Sequence, residues 1–503
     1  MKTIEVLRRL DKETEGSVYL VGGFVRDFLR NKRNDDLDIV IRNITLEKVL
    51  SFLKPHGKTE EIKLSSKGNK FSSIDIILFR AEDKVEAQIT LARRGKKQIP
   101  SPGNTLTQDS KFRDFRLNAL YLPVNFKSKK DVIDKVGGLE DIKKREINPI
   151  GSATERIKEF PIRIMRAISL AARIGYKINK ELEVSIKENV GLLANVPPEN
   201  IKNELNKILL SKKPSKYIKI MEKLGVLKVV LPELHRCVGI KQDKRYHKWD
   251  VFNHSVYACD NIEPDLVLRL SAVLHDIGKP GTMGKLKTDN GIRTTFYKHD
   301  VLGGKLAKSL LERLKYDKKV SKEVVKLIKL HMYHYTSDMF KCEDCKWSIV
   351  SSSAKEAPVK CRSCGSSNIK FQVGWTDMAV RKFITRAGIT DKDLENLEEF
   401  SLFKLRSAER LGNGYKNIAV TEKQKDFQNR IISVYKQSHG LTVKDLDING
   451  DVIMDTFKME ESPQLGEILT FLLDKVLEHP PFNNRLDLLK LTIEYLYRND
   501  LVG

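Results

Sequence analysis

The chain has 503 residues, and its 91 lysines and arginines against 67 acidic residues give a formal net charge of +24. This length predicts about three or four domains, and six cysteines in so long a chain exclude a disulfide scaffold. No apolar run approaches the ~18 residues of a membrane helix, and the N-terminus lacks the apolar region of a signal peptide. We therefore expect a cytoplasmic protein with no membrane partner. The charge indicates a polyanionic partner such as nucleic acid, although a lysine-rich solubilising surface would produce the same value.

Four regions follow one another along the chain. Residues 1–148 mix short β-like runs with helical stretches and predict an α/β (α+β) head. Residues 149–230 are helical in period and form a neck, residues 231–415 are mostly helical and rich in histidine, and residues 416–503 form a helical tail. A cysteine cluster predicts a small insertion at 341–370. The β-like runs of the head are Val18–Val21, Ile39–Ile41, Ile74–Phe79 and Val85–Leu91.

The head begins with a strand, a glycine turn and a helix. The apolar strand runs into Gly22-Gly23, where the backbone can pass close to a bulky anion, and the following helix carries Arg26. Asp36 and Asp38 then lead into the next strand, and the two-residue strand period places both carboxylates on one face. Two carboxylates on one face are costly unless a divalent cation such as Mg²⁺ lies between them. This pattern predicts metal-assisted phosphoryl transfer.

The order strand, Gly-Gly, helix, Asp-x-Asp resembles the signature of the class II tRNA nucleotidyltransferase and bacterial poly(A) polymerase family, a branch of the DNA polymerase β-like nucleotidyltransferases. The resemblance implies a polymerase β-like head. It also implies that Asp36 and Asp38 hold the catalytic Mg²⁺ ions. By the same resemblance Gly22, Gly23 and Arg26 bind the incoming triphosphate.

A third carboxylate often completes a metal site of this kind. Glu86, on the second strand of a hairpin between Ile74 and Leu91, is the candidate, and Asp75 on the first strand is the alternative. Either residue could instead be a plain surface charge.

The segment DSKFRDFRLNAL, residues 109–120, is similar to a second motif of the family. Arg113, Asp114 and Asn118 match that motif, while Phe112 stands where the family usually has an arginine. In the family this motif contacts the ribose and selects ribonucleotides. The resemblance therefore implies that these three residues bind the nucleotide.

The segment EFPIRIMRAISLAARIG, residues 159–175, resembles the family motif whose aspartate and arginine pair with the edge of the incoming base. Glu159 and Arg163 match, but Phe160 occupies the position of the aspartate. A phenyl ring cannot accept a hydrogen bond from a base amino group, although it could stack on the base and relax base choice. We expect Arg163 to contact the base. The alternative is that Arg163 is a structural arginine on a helix surface.

Histidines and acids recur through the third region in a fixed order. They are His254, His275-Asp276, His299, His331 and finally Glu409. This order resembles the HD phosphohydrolase superfamily, with Glu409 where the last aspartate usually stands. The resemblance implies that His254, His275, Asp276 and Glu409 hold a divalent metal of unknown identity. It further implies hydrolysis of phosphate esters on RNA or nucleotide ends, and an inactive HD domain is the alternative.

Four cysteines form two CxxC pairs, Cys342 with Cys345 and Cys361 with Cys364, separated by fifteen residues. This spacing is typical of a zinc ribbon, in which four thiolates bind tetrahedral Zn²⁺. The ribbon interrupts the HD region between His331 and Glu409. It is either a structural knuckle or an additional RNA contact.

Together the motifs imply an enzyme that adds the 3′-terminal CCA to tRNA from CTP and ATP without a nucleic-acid template. Within the helical tail, 416–503, residues 441–496 resemble the tRNA-binding tail of the family. Nothing in the sequence implies a protein partner. Two alternatives of the same class are a poly(A) polymerase and an enzyme that adds only CC or only A. An HD phosphohydrolase with an inactive head is the alternative of another class.

Overall fold

The computed structural model describes residues 2–499 except 14–16, 66–72, 95–98, 246, 289–290, 334–338, 346–347, 351–357, 373 and 438–441. The chain forms two compact units. The first comprises Met1–His235 with Arg313–Tyr316, and the second comprises Arg236–Glu312 with Asp317–Gly503. The first unit thus holds the head and neck of the sequence analysis, and the second holds the histidine-rich region, the cysteine cluster and the tail.

The first unit combines one large sheet with short additional strands and twelve α-helices within its described residues. Its strands are β1 (Ser17–Val21), β2 (Leu37–Arg42), β3 (Lys58–Ser65), β4 (Ser73–Arg80), β5 (Glu86–Leu91), β6 (Arg93–Arg94), β7 (Ile99–Pro100), β8 (Leu120–Pro123), β9 (Ile133–Asp134), β10 (Glu146–Ile147) and β11 (Lys177–Ile178). Its helices are α1 (Thr3–Glu13), α2 (Gly23–Leu29), α3 (Leu46–Leu53), α4 (Leu106–Ser110), α5 (Gly138–Lys144), α6 (Ala153–Glu159), α7 (Arg163–Ile174), α8 (Lys180–Asn189), α9 (Pro198–Leu209), α10 (Pro214–Lys223), α11 (Val226–Val230) and α12 (Pro232–His235).

Seven strands form a mixed sheet in the order β3-β4-β5-β2-β1-β8-β9. Strands β2 and β5 run parallel, and the other neighbouring pairs are antiparallel. The register places Val21 opposite Asp38 across β1 and β2, and Asp38 opposite Gln88 across β2 and β5. The end of β1 therefore lies beside the start of β2. This places the Gly22-Gly23 turn, which follows β1, next to the two aspartates at the start of β2.

The main core of the head lies on one face of this sheet. Leu37, Ile39 and Ile41 alternate into it from β2 and pack with buried residues of α1, α2 and α3. Because successive strand residues point to opposite faces, Asp38 projects to the other side of the sheet. That alternation leaves Asp38 free to line a cavity while its neighbours fill the core.

The second unit is mostly helical in its described residues. Its helices are α13 (Val251–Asp260), α14 (Leu266–Leu274), α15 (His299–Arg313), α16 (Lys318–Leu330), α17 (Asp377–Ala387), α18 (Asp391–Leu394), α19 (Ser401–Gly412), α20 (Glu422–Gln437), α21 (Gly450–Phe457), α22 (Pro463–Glu478) and α23 (Arg485–Arg498). Its strands are β12 (Gly284–Thr288), β13 (Gly291–Thr295), β14 (Met339–Cys342), β15 (Ser348–Val350) and β16 (Ile369–Gln372). Across the described part of the chain, every helix is too short or too polar to cross a bilayer.

A close helix contact brings two distant parts of the second unit together. Helices α13 and α19 pack so tightly at Gly412 that a Cβ atom there would lie 2.6 Å from the Ala258 amide nitrogen. Since α13 carries His254 and α19 carries Glu409, this contact sets the spacing between the first and last members of the histidine series.

A single carboxylate organises the turn before α5 in the first unit. Asp134 accepts hydrogen bonds from four successive amides, those of Val136, Gly137, Gly138 and Leu139, at 2.8–3.1 Å. Burial alone would raise the pKa of Asp134, but these amide hydrogen bonds outweigh it and lower the pKa below its ordinary value. The turn seats α5 against the backbone of Arg116, since a Cβ atom on Gly138 would lie 2.4 Å from that carbonyl oxygen. It thereby fixes the segment that carries Asn118.

We predict that Asp134→Ala accelerates amide hydrogen exchange in the peptide covering α5 by about 5- to 30-fold at neutral pH. The substitution leaves four amides without their acceptor, and a lost cap costs about 1–2 kcal/mol. Because the folded-state pKa is lowered, the stabilisation is present above the unfolded pKa and is lost as pH falls through the folded value. The difference between wild type and variant should therefore shrink in acid. Asp134→Asn, which keeps one acceptor oxygen, should show a smaller effect, and equal exchange in all three proteins would contradict the assignment.

Candidate functional site

The glycine turn lies directly against one of the two aspartates. Gly22 has φ = +72°, a left-handed conformation that favours glycine, and a Cβ atom there would lie 2.5 Å from Oδ2 of Asp38. Gly23 begins α2, and its amide donates a hydrogen bond to Asp38. The close approach to the carboxylate therefore requires glycine at position 22, while position 23 contributes its backbone amide.

Asp36 and Asp38 face the same cavity from the start of β2. Asp36 precedes the strand and is positioned by a 3.0 Å hydrogen bond from its amide to the side-chain oxygen of Asn34. Burial is the main cause that raises the pKa of Asp38, Asp36 raises it further, and Arg113 opposes the shift. Two adjacent carboxylates whose charges repel, with Asp38 partly buried and Asp36 exposed, form a donor set that fits a divalent cation such as Mg²⁺.

Arg26 connects the first motif to the second. Its buried guanidinium forms a two-point ion pair with Asp27, at 3.0 and 2.7 Å, and donates from Nη1 to the side-chain oxygen of Asn118 at 2.7 Å. Asp27 also accepts from Arg30 at 2.8 Å and from Asn34 at 2.9 Å. The sequence predicted Arg26 and Asn118 as site residues but gave no reason to assign a role to Asp27, which holds Arg26 in place.

Arg113 is fixed by a buried acid of its own. Asp109 accepts hydrogen bonds from Arg113 Nε at 2.8 Å, from the Tyr121 hydroxyl at 2.7 Å and from the Arg93 amide at 3.0 Å. Burial alone would raise the pKa of Asp109, but Arg113 and Arg93 hold it well below its usual range. Asp109 is therefore ionised at neutral pH and positions two arginines at the cavity wall.

Asp114 links the second motif to α7. Its two carboxylate oxygens accept from Arg163 Nε at 2.8 Å and from Arg166 Nη1 at 2.6 Å. Arg163 also donates from Nη1 to the Arg156 carbonyl at 2.7 Å and to Glu159 at 3.2 Å. The second and third motifs of the sequence are therefore one connected network.

These residues line one cavity of about 810 Å³ in the first unit. The predicted residues that line it are Gly22, Gly23, Arg26, Asp36, Asp38, Arg113, Asp114, Asn118 and Arg163. Cationic lining residues that the sequence analysis did not select are Arg93, Arg166, Arg173 and Lys207. Arg166 and Arg173 follow Arg163 at helical spacing on α7, so the period of 3.6 residues was a usable signal for them. Arg93 had no comparable signal.

Glu86 does not line this cavity. Its carboxylate is ion-paired with Arg80, whose Nε lies 2.7 Å away, because the antiparallel register of β4 and β5 sets these residues opposite each other. Gln88, two residues further along β5, is the residue opposite Asp38 and lines the cavity. The side chain of Asp75, the alternative third carboxylate, lies outside the described residues.

A second cluster forms in the second unit around Asp276. One carboxylate oxygen lies 3.2 Å from His275 Nε2 and 3.7 Å from His254 Nε2, and the other lies 3.3 Å from His299 Nε2 and 3.8 Å from His331 Nε2. The Nε2 atoms meet in pairs at 3.2 Å, His254 with His275 and His299 with His331. The carboxylate therefore stands between two histidine pairs.

The orientation of the rings fits metal ligation. In His275, His299 and His331 the other ring nitrogen, Nδ1, donates to a backbone carbonyl at 2.6–2.8 Å, which leaves Nε2 with its lone pair. Burial and the nearby His275 lower the pKa of His254 to about 3, and the same two causes lower that of His331 to about 4. Both are neutral at physiological pH, as a metal ligand must be. One oxygen of Asp276 is buried without a hydrogen-bond partner.

Glu409 completes one side of this cluster. Ligand atoms of His254, His275 and Glu409 lie within 4.8 Å of one another, as do those of His275, Asp276 and His331. A neighbouring cavity of about 720 Å³ is lined by His299 and Glu409. Its cationic lining residues are Lys279, Arg293, Arg406, Arg410, Lys416 and Lys423, and its aromatic ones are Phe296, Tyr297, Tyr333 and Phe427. Such a wall suits a phosphate group attached to a ring system.

The four clustered cysteines converge on a three-stranded sheet in the order β15-β14-β16. Cys342 and Cys364 have their sulfur atoms 3.6 Å apart, Cys345 and Cys361 have theirs 3.4 Å apart, and all four lie within 4.8 Å. Gly365 closes the second pair with φ = +73° and an amide hydrogen bond of 2.9 Å to the Cys361 carbonyl. Four converging thiols on such turns fit tetrahedral Zn²⁺.

Comparisons with known proteins agree with this architecture. A family model described as the poly A polymerase head domain matches residues 18–148. One described as the probable RNA and SrmB-binding site of polymerase A matches residues 175–238, and one described as the HD domain matches residues 245–358.

Curated relatives and a solved structure extend the match. The A-adding tRNA nucleotidyltransferase of Deinococcus radiodurans is 29% identical over 329 residues, which cover 63% of this chain and 69% of that protein. The CC-adding tRNA nucleotidyltransferase of Thermus thermophilus is 28% identical over 330 residues, with the same two coverages of 63% and 69%. The Bacillus stearothermophilus CCA-adding enzyme, solved in complex with CTP, matches with a TM-score of 0.60 at 16% identity, covering 100% of this chain and 98% of that one.

At that identity the structural likeness shows the fold alone. It confirms the expected α/β (α+β) head followed by mostly helical regions. The three family models match the chain in the order head, RNA-binding segment and HD domain, and the curated relatives are tRNA nucleotidyltransferases. The chain belongs to the tRNA nucleotidyltransferase and poly(A) polymerase family that carries an HD domain.

Proposed function

We propose that the site in the first unit adds C and A nucleotides to the 3′ end of tRNA, using CTP and ATP and no nucleic-acid template. The observation that supports this most is the convergence of motifs far apart in sequence on one cavity of about 810 Å³. Two carboxylates, a glycine turn and a wall of arginines are the parts that nucleotidyl transfer requires. The two curated relatives named above are an A-adding and a CC-adding tRNA nucleotidyltransferase.

The reaction joins the terminal tRNA 3′-oxygen to the α-phosphorus of the nucleotide, and the bond from that phosphorus to pyrophosphate breaks. Asp36 and Asp38 are the residues that would hold divalent metal, which would favour loss of the hydroxyl proton and neutralise charge on the phosphates. Arg93, Arg166 and Arg173 surround the same space with positive charge that attracts the triphosphate. Asp114 and Asn118 line the same cavity and are the residues that would contact the ribose of the nucleotide.

The relatives leave the extent of addition open between A, CC and CCA. We favour complete CCA addition as the working assignment, with a CC- or A-adding enzyme as the alternative. A poly(A) polymerase shares the head, but the curated relatives are named for tRNA and not for poly(A). The helical tail, α20 to α23, is the proposed tRNA-holding part, because residues 441–496 resemble the tRNA-binding tail of the family.

The decisive experiment uses tRNA transcripts that end before CCA, after C and after CC, with CTP and ATP supplied separately and together. Wild type should complete all three with Mg²⁺. Asp36→Ala should reduce the rate by roughly 100-fold or more, as removal of a main charge-stabilising group does.

Glu86→Ala is the matched control, because Glu86 is a carboxylate on the adjacent strand that is paired with Arg80 outside the cavity. It should retain addition. A loss as large as that of Asp36→Ala would instead make Glu86 a metal ligand, and failure of wild type on every transcript would overturn the proposed function. Homopolymer tails would favour the poly(A) alternative.

We infer a second activity, hydrolysis of phosphate esters at RNA or nucleotide ends, for the HD region. Two histidine pairs flank Asp276, and the cavity beside them has cationic and aromatic walls. The cluster has donors for one or two divalent metals, which would supply activation of water for attack on phosphorus. Lys279 donates from Nζ to Asp276 at 2.7 Å and so aligns that carboxylate.

We predict that Asp276→Asn lowers both metal content and hydrolysis of 2′,3′-cyclic AMP, measured by mass spectrometry of bound metal and by product release. The amide keeps the shape of the side chain but removes the charge that lies between the two histidine pairs. Mn²⁺, Ni²⁺, Co²⁺ and Mg²⁺ are tested in turn. Asp36→Ala should leave this activity intact, and hydrolysis that disappears in Asp36→Ala but persists in Asp276→Asn would place it in the head.

We also propose that the four-cysteine cluster binds Zn²⁺ as a structural ribbon. A reducing compartment such as the cytoplasm keeps cysteines as thiols that can bind zinc. The purified protein should contain about one zinc that is lost in Cys342→Ser and Cys361→Ser, as measured by metal analysis. Cys259→Ala, which changes a buried cysteine outside the cluster, should keep the zinc. Equal zinc in all variants would reject the ribbon assignment.

A further inference from the structure

Phe160 stands at the corner between α6 and α7 with its ring in the nucleotide cavity. The following Pro161 restricts the backbone of Phe160 to the extended region, and φ is −142° and ψ is 88°. Its carbonyl also accepts the Arg163 amide at 3.0 Å, at the start of α7. The backbone that carries the ring is therefore held on both sides. In the described part of the first unit, Phe160 is the one aromatic residue among the exposed large hydrophobic side chains, and 38% of its surface is accessible.

Arg163 lies beneath this ring. The guanidinium carbon is 4.9 Å from the ring centroid, and the arginine side chain is almost fully buried. A desolvated cation held against an aromatic face stabilises the ring in that orientation. The outer face of Phe160 remains exposed to the cavity.

The nitrogens of Arg163 are all engaged by the protein. Nε donates to Asp114 at 2.8 Å, Nη1 donates to the Arg156 carbonyl at 2.7 Å, and Nη2 donates to the Phe112 carbonyl at 3.4 Å. Nη1 also donates to Glu159 at 3.2 Å, so these contacts engage four of the five N–H groups and leave one, on Nη2, for the edge of a base. Its position fits a rigid support for Phe160 better than a hydrogen-bonding reader of the base.

We propose that Phe160, supported by Arg163, is the surface on which the base of the incoming nucleotide stacks, and that it supplies affinity without selecting the base. This inference rests on the proposed nucleotidyl transfer. Every base has an aromatic face, so stacking is tolerant of base identity, whereas selection requires hydrogen bonds to the base edge. Polar groups for that purpose lie elsewhere on the wall. Glu204 is one, held by Ser169 and by Lys207 at 2.7 Å.

A tryptophan substitution tests stacking directly. The three native tryptophans, at 249, 347 and 375, are all in the second unit, so Phe160→Trp introduces the single tryptophan of residues 1–235. The variant is titrated with ATP, CTP, GTP and UTP in the presence of Mg²⁺ and absence of tRNA. Its added fluorescence should be quenched saturably by ATP and CTP to similar depth, because the indole would stack on either base.

Leu139→Trp is the matched control. Leu139 is exposed to a similar degree, 42%, in the same unit, but it does not line the cavity. Its added fluorescence should not change on titration. A Phe160→Trp signal that stays equally unchanged while the variant still adds nucleotides would overturn the inference and leave the proposed function standing.

Kinetics separate affinity from selection. Phe160→Ala should raise the KM for CTP and for ATP by a similar factor, roughly 10-fold or more, with a smaller change in kcat. Phe160→Tyr should restore the wild-type KM because it retains an aromatic face. A Phe160→Ala variant that changes the CTP-to-ATP ratio of kcat/KM more than it changes either KM would show that Phe160 selects the base, against the proposal. Absence of any addition by wild type would instead reject the proposed function, while the fluorescence titration would still report on stacking.

Discussion

The head depends on the close approach between the backbone at Gly22 and the carboxylate of Asp38. Strands β1 and β2 are hydrogen-bonded neighbours, so the chain that leaves β1 must turn immediately beside the first residues of β2. A Cβ atom on Gly22 would lie 2.5 Å from the Asp38 oxygen, and the φ of +72° is itself costly for other residues. Since the alternation of β2 sends its apolar residues into the core, the carboxylate is left on the open face, and the turn proposed to bind the phosphates is placed over it.

The arginines around the cavity are positioned by buried acids. Arg26 is held by Asp27 and Arg113 by Asp109, and in each pair the arginine is fixed from behind by a carboxylate. Burying an ion pair gains little net stability, because desolvation of both charges opposes their attraction. Removal of one partner, however, leaves an uncompensated buried charge and is strongly destabilising. These pairs are therefore best understood as devices that fix the direction of each guanidinium before the nucleotide arrives.

The sequence was most informative where a local period or a motif fixes the geometry. The apolar alternation predicted β1, β2, β4 and β5, and motif order linked residues as far apart as Arg26 and Asn118, which the structure joins by a hydrogen bond. What it could not supply was register between strands. The β4–β5 register pairs Glu86 with Arg80, and the β2–β5 register sets Gln88 opposite Asp38. A shift of two residues along β5 would instead set Glu86 opposite Asp38 and would leave the alternation of the strand unchanged, so the sequence pattern does not distinguish the two registers.

The same limit explains the HD cluster. Spacing along the chain indicated that His254, His275 and Glu409 belong together, because such an order is typical of the HD superfamily. That each carboxylate oxygen of Asp276 faces a separate histidine pair is a consequence of the helix packing, since the residues come from α13, α15 and the ends of α14 and α16. The backbone carbonyls that orient the rings are invisible to any pattern of side chains.

Charge balance constrains how the nucleotide site works. The cations that line the cavity are Arg26, Arg93, Arg113, Arg163, Arg166, Arg173 and Lys207. The carboxylates that line it or pair with these cations are Asp27, Asp36, Asp38, Asp109, Asp114, Glu159 and Glu204. These acids also pair with two further cations, Arg30 with Asp27 and Arg156 with Glu159, so nine cations face seven carboxylates. The site therefore carries a small positive excess, compared with +24 for the whole chain. A triphosphate adds more negative charge than this excess can balance, and cations must therefore arrive with it. Most of the surplus positive charge of the chain lies outside this cavity, where it is available to a long phosphate backbone.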